Sequence, residues 1–199
     1  MKIGIYGGSF NPPHLGHQML ANELASALCL DKLIIIPSNI SPQKSNNGNI
    51  DPTHRINMCK ILFDDEKYIV SDCEIKRGGK SYTFDTLNFI KSQYNDAELY
   101  LFMGSDMLLS FHSWYRYEDI LAMCTLCAVS REDDNTRTEM LRYSENVLKK
   151  GNVQIFKVTP FQVSSSLIRE NIRAGVSCDG LIDAGIAAYI KEHNLYERL

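Results

Sequence analysis

Two histidines three residues apart, His14 and His17, lie in the segment GGSFNPPHLGH that runs from Gly7 to His17. Residues at i and i+3 share a helix face. Pro12 and Pro13 suit a helix that opens near His14, because the missing proline N–H is no loss at the first helical position. Both imidazoles would then stand beside unpaired N–H groups and the positive end of a helix dipole. Anions such as the phosphates of a nucleotide bind in such places. A glycine turn at Gly7 and Gly8 would let the backbone approach a ligand where a Cβ would collide. Imidazole N–H donors there can stabilise oxygens that gain charge during reaction. The same spacing also occurs in solvent-facing pairs and in metal sites. Zinc needs further ligands at suitable spacing, and His54, His112 and His193 are scattered and alone, so no protein-held metal is expected.

The elements that must position these groups alternate along the chain. Apolar, β-rich runs read as strands at 2–6, 33–37, 68–75, 98–103, 124–130 and 153–158. Amphipathic stretches read as helices at 15–28, 53–63, 83–93, 117–123, 136–149, 165–174 and 183–192. This order predicts an α/β fold with a Rossmann-like parallel sheet and helices on both faces. Ligands of such sheets sit beyond the carboxyl ends of the strands. Four segments fall there: the glycine and histidine segment; 37–49 with Lys44; Gly104, Ser105 and Asp106; and Ser164, Ser165 and Ser166 with Arg169.

Composition narrows the class. The 199 residues suffice for one domain with a real core. With 44% hydrophobic and 23% charged residues the chain reads as an ordinary soluble protein. A net charge of -3 offers no basic surface for nucleic acid. No apolar run reaches the roughly 18 residues of a membrane span, and the chain begins directly with a strand, so a cytoplasmic protein without a membrane partner is expected. Six cysteines sit mostly in apolar patterns, as reduced core residues do. Cys124 and Cys127 have CxxC spacing but read as part of a buried strand.

The pairing of GGSFNPPHLGH with the distant VSSSLIR closely resembles the bacterial nicotinate-nucleotide adenylyltransferases, and PSNISPQK, KSYTFDTL, GSDMLLSFHSW and YIKEHNLYE extend the resemblance over nearly the whole chain. The resemblance implies a nucleotidyltransferase of the HxGH superfamily that joins nicotinate mononucleotide to the AMP part of ATP and releases pyrophosphate with Mg²⁺ present. It implies one domain over 1–199, with a helical part at 164–199 completing the ATP site. Gly7, Gly8, Ser9 and Phe10 would contact the nucleotides. His14 and His17 would meet the ATP phosphates, with Ser164, Ser165 and Arg169 holding the triphosphate from the other side. Lys44 would reach phosphate and Asn39 the mononucleotide. Gly104 and Asp106 would meet the ribose; Trp114 would stack on the pyridine ring, and N–H groups near Thr83 and Tyr115 would hold its carboxylate.

Taken without the resemblance, each residue keeps a plainer reading. Ser164 and Asp106 could simply cap helices, Lys44 could be a loop cation, Arg169 could pair with Glu170 or Glu192, and Trp114 could fill an apolar gap. Where the usual pattern places a second proline and a histidine before the lysine, this chain has Pro42 and Gln43, so a third imidazole is not expected. Two N–H donors serve a carboxylate better than a carboxamide, whose NH₂ end would face one of them, so acid is expected over amide. No nucleophile stands beside an orienting base, which favours direct attack over a covalent enzyme intermediate. The rival readings are an adenylyltransferase for nicotinamide mononucleotide or pantetheine phosphate, and a nucleotide-sensing module without turnover. Assembly into a homo-oligomer stays open.

Overall fold

Runs such as IGIY, LIII and LYLFM combine β-branched, aliphatic and aromatic residues and become buried strands. The computed structural model describes residues 1–40, 50–131, 134–149, 151–158 and 161–197. Its strands are β1 (Lys2–Gly8), β2 (Lys32–Pro37), β3 (Tyr68–Val70), β4 (Glu98–Gly104), β5 (Thr125–Arg131) and β6 (Val153–Val158). They form one parallel sheet in the order β3-β2-β1-β4-β5-β6. The helices are α1 (Leu15–Ala27), α2 (Pro52–Leu62), α3 (Cys73–Arg77), α4 (Thr83–Gln93), α5 (Ser105–Leu109), α6 (Tyr117–Met123), α7 (Asp134–Asn146), α8 (Ser165–Ala174) and α9 (Ala184–Glu192).

Side chains alternate across the strands, so each face carries its own core. On one face Tyr6, Leu33, Ile35 and Phe102 pack with buried residues of α1, α2, α8 and α9. On the other, Ile5, Ile34, Ile36 and Leu101 pack with those of α4, α5, α6 and α7. The predicted α/β sandwich is therefore present. The chain leaves β1 towards β2 and β3, then returns to lay β4 on the opposite side of β1. That reversal opens a crevice beyond the carboxyl ends of β1 and β4.

Three local expectations change. The strand expected over 68–75 stops at Val70, and Asp72 precedes a short helix instead. Glu74 in the first turn and Lys76 and Arg77 in the last suit the helix dipole, and Gly78 ends the helix at φ 70°. Gly7 and Gly8 form no turn: β1 continues through them, opposite Ile36 and Pro37 of β2. The chain turns at Phe10, buried and left-handed at φ 46°, a conformation that costs roughly 1–3 kcal/mol in a residue with a Cβ. Pro12 and Pro13 both precede the helix, which begins at Leu15 with His14 as its N-cap.

Among the described residues no helix is long and apolar enough to cross a membrane. Cys59, Cys73, Cys124 and Cys127 are buried free thiols in the core, whereas Cys29 is exposed. Burial pushes the Cys124 and Cys127 thiols up to about 12, so at pH 8 both stay protonated and unreactive. A thiol-specific disulfide reagent at pH 8 is expected to label Cys29 first in the native protein and all six cysteines only after denaturation. Fast native labelling of Cys124 or Cys127 would contradict this packing.

Candidate active site

The segment after β1 is held by donors from distant parts of the chain. The Gly8 carbonyl accepts the Ser38 N–H at 2.8 Å. The Ser9 carbonyl accepts Nη1 of Arg55, from α2, at 2.8 Å. The Asn11 carbonyl accepts Nη1 of Arg169, from α8, at 2.7 Å, and the Pro12 carbonyl accepts the Ser165 hydroxyl at 2.8 Å. The Asn11 side-chain oxygen takes the Tyr196 hydroxyl at 2.6 Å. Engaging these carbonyls removes partial negative charge from this stretch of surface, as an anion site would require.

The two histidines stack, with ring centroids 3.6 Å apart and planes 28° from parallel. The His14 N–H donates to His17 Nδ1 at 3.2 Å. That bond uses the Nδ1 lone pair, so the ring proton of His17 belongs on Nε2, where it can be donated to a ligand. Gly16 belongs here for a steric reason: a Cβ would come within 2.8 Å of Val163 Cγ1 and 3.2 Å of His14 Nδ1. Only a glycine lets α1 start this close to the chain leading into α8.

α8 begins at the same point. The Ser164 hydroxyl caps it by accepting the Leu167 N–H at 3.1 Å, as the plainer reading of this serine held. Arg169, one turn in, donates Nη2 to the Ser166 hydroxyl at 3.1 Å as well as Nη1 to Asn11. Two of its five N–H donors are thus engaged, and the others stay available to an anion. Its bonds go to the loop; no ion pair with Glu170 or Glu192 occurs among the described residues.

A cleft of about 1070 Å³ joins these groups with the ends of the other strands. Gly7, Gly8, Ser9, Phe10, His14, His17, Gly104, Asp106, Thr83, Trp114, Tyr115, Ser164, Ser165 and Arg169 all line it. Asp106 does not cap α5, whose N-cap is Gly104. Its carboxylate folds back over that glycine, where a Cβ would meet Oδ1 at 2.7 Å. At the far end Trp114 leans on Phe111 with centroids 5.0 Å apart, and Tyr115 packs against Tyr82 at 4.8 Å. Thr83 opens α4, whose N-cap Tyr82 makes no side-chain cap, so the first-turn N–H groups face outward unpaired by side chains. Asn39 lies off the wall of the cleft; its side chain donates to the Gly79 carbonyl at 2.9 Å and its N–H to Ser81 Oγ at 2.8 Å. Lys44 and the rest of 41–49 lie outside the described residues.

The structure adds residues that sequence reasoning passed over. Ser38 Oγ and Trp114 Nε1 are buried on the cleft wall with no hydrogen-bond partner among the described residues. Buried polar groups are normally satisfied, so these two orphaned atoms set the cleft wall apart from the rest of the core. Glu74 is buried and accepts the Thr86 hydroxyl at 2.6 Å. Arg55 had a visible signal: with Met58, Cys59 and Leu62 it occupies the buried face of α2, a helical spacing at which a charged residue is out of place. Tyr196 had no such signal.

Fold and cleft together define a doubly wound α/β protein whose cleft lies at the switch point of its sheet, where such folds bind nucleotides. Residues 5–171 match the cytidylyltransferase-like family, and the chain belongs to it. Solved structures agree in fold. The Plasmodium falciparum nicotinic acid mononucleotide adenylyltransferase complexed with NaAD aligns at TM-score 0.75 and 21% identity, over 98% of this chain and 97% of that one. The same organism's nicotinic acid mononucleotide adenylyltransferase complexed with APC aligns at 0.73 and 20%, over 98% and 96%.

Tyr196→Phe removes one buried donor to the Asn11 side chain and is expected to cost about 1 kcal/mol. The urea midpoint should fall at unchanged slope; an unchanged midpoint would show that the hydroxyl does not hold the loop.

Proposed function

We propose that the protein transfers the AMP group of ATP to nicotinate mononucleotide, forming nicotinate adenine dinucleotide and pyrophosphate. The observation that carries this reading is the bond from Arg169 to the Asn11 carbonyl. It brings the serine and arginine segment against the histidine segment, so that one triphosphate can touch both. The NaAD in a structural neighbour of the same fold supports the choice of product.

In this reading an oxygen of the mononucleotide's phosphate attacks the α-phosphorus of ATP, the new P–O–P bond forms, and the bond to the β-phosphate breaks with pyrophosphate leaving. The attacking group is already an anion, so alignment and charge compensation do most of the work. His14, His17 through Nε2–H, Arg169 and the N-termini of α1 and α8 offset the charge; Ser164 and Ser165 support the triphosphate, and Lys44 would add a cation from its loop. Gly7, Gly8, Ser9 and Phe10 line the nucleotide path and Gly104 and Asp106 its ribose edge, while Trp114 faces the pyridine ring. Thr83 and Tyr115 supply N–H donors for its carboxylate, with Asn39 on the mononucleotide side.

Among the described residues no group of three or more His, Cys, Asp or Glu gathers as a metal site. The donor set therefore suits Mg²⁺ as a companion of ATP, because that ion keeps several waters and binds phosphate oxygens. It would supply further charge neutralisation on the triphosphate. The reading takes the chain as one catalytic domain, with 164–199 completing the ATP side, at work in the cytoplasm on small-molecule substrates.

Offered ATP with each acceptor in turn, the purified protein should release pyrophosphate with nicotinate mononucleotide at a higher kcat/KM than with nicotinamide mononucleotide or pantetheine phosphate. A preference for the amide or for pantetheine phosphate would refute the acceptor, and ATP binding without turnover would favour a sensing module. Replacing His17 by alanine is expected to lower kcat by about 10²-fold or more while the urea midpoint stays near that of the parent protein; near-normal turnover would remove His17 from the machinery.

A further inference from the structure

The geometry points to Arg55 as a positioning residue of the polyphosphate site, one that holds the Ser9 carbonyl from behind and sets a buried positive charge against the bound anion. The inference rests on the reading of the cleft as a polyphosphate site.

Arg55 is 1% exposed, the largest of the fully buried side chains. Arginines are almost never fully buried unless paired. Yet the ion pairs among the described residues are Lys76 with Asp72 and Arg116 with Asp119, neither of which involves it. Its hydrogen bond goes to the neutral Ser9 carbonyl, which satisfies one donor of five and leaves the charge uncancelled. Burial draws its pKa below the usual arginine value, against the opposing pull of Cys59, Tyr196, Asp51 and Glu74; a guanidinium keeps its charge in proteins. For packing alone, an apolar side chain of similar length beside Met58, Cys59 and Leu62 would serve as well or better.

The missing counter-charge has an evident source in the cleft. Ser9 and Asn11 are two residues apart, and their carbonyls are gripped by two guanidinium groups, Arg55 from α2 and Arg169 from α8. Arg169 lines the cleft itself, whereas Arg55 acts through the loop. A charge behind a single layer of backbone, in a medium of low dielectric, is felt strongly by an anion in front of it. An anionic ligand thus offsets a desolvation cost already present in the free protein, and the loop is held in place before the ligand arrives.

The test uses the full-length protein, inorganic tripolyphosphate and calorimetry, with urea unfolding of each ligand-free variant alongside. R55M is expected to bind tripolyphosphate at least tenfold more weakly at a urea midpoint equal to or above that of the parent protein. R55K keeps the charge and should bind within about threefold of the parent. In steady state, R55M should raise KM for ATP and leave that for the mononucleotide near its parent value. Unchanged binding by R55M, failure of R55M to fold, or a loss in R55K as large as in R55M would each overturn the proposal. Absence of tripolyphosphate binding in the parent protein would overturn it together with the phosphate assignment. An intact Arg55 effect without turnover of nicotinate mononucleotide would overturn only the acceptor.

Discussion

Everything in the cleft depends on the carbonyls of one short loop being occupied from behind. Carbonyl oxygens turned towards the cleft would repel an anion there. Residues 8, 9, 11 and 12 each give up a carbonyl to a protein donor, from Ser38, Arg55, Arg169 and Ser165 respectively. These donors come from three places, the connection after β2, α2 and α8, so the loop takes this shape only when the sheet, α2 and α8 are all in place. Folding and site assembly are therefore one event, and the left-handed Phe10 persists because its surroundings over-determine it.

How much of this was legible in the sequence follows from contact distance along the chain. The histidine pair, the N-cap at Ser164 and the alternation of strands and helices are local patterns, and the structure contains them. The braces are not local. Arg55 and Ser9 are 46 residues apart, and Tyr196 and Asn11 are 185 apart; no periodicity reports such pairs. Other misreadings were of competing local signals. The run Tyr68 to Ile75 carries strand-forming residues, but its pairing with β2 ends at the Ser71 N–H on the Ile35 carbonyl, and beyond that edge Asp72 and Glu74 favour a helix start. Gly7 and Gly8 look like a turn and lie in a strand, since lacking a Cβ serves open approach as well as unusual dihedrals.

The charge distribution follows the same logic. A chain of net charge -3 still offers local cationic donors at the cleft, where Arg169 lines the wall and Arg55 lies behind Ser9. The three histidines outside the site are tied to tyrosines elsewhere: His54 Nδ1 lies 2.9 Å from the Tyr189 hydroxyl, His112 Nδ1 lies 2.8 Å from that of Tyr143, and the His193 ring packs 4.3 Å from that of Tyr189. Local donors, short distances and low dielectric decide the field at the cleft, and the overall charge has little influence beyond a Debye length.

The two ends of the cleft are held by different physics. At the histidine end, charge-assisted bonds of 2.7–2.8 Å fix backbone oxygens. At the tryptophan end, the turn carrying Trp114 and Tyr115 is fixed by stacking. Arg116 is left-handed at φ 56°, and its guanidinium lies 3.8 Å from the centroid of Phe84. Tyr115, though 54% exposed, packs against both Tyr82 and Phe84. The ion pair from Arg116 to Asp119 is exposed, and such pairs contribute little. The ladder of Tyr82, Tyr115, Phe84 and Arg116 therefore ties the turn to the start of α4, while Trp114 itself is held by Phe111 through its ring and its backbone N–H. The start of α4 and the turn carrying Trp114 and Tyr115 are thus set by one stack of side chains, so the two walls at this end of the cleft move together.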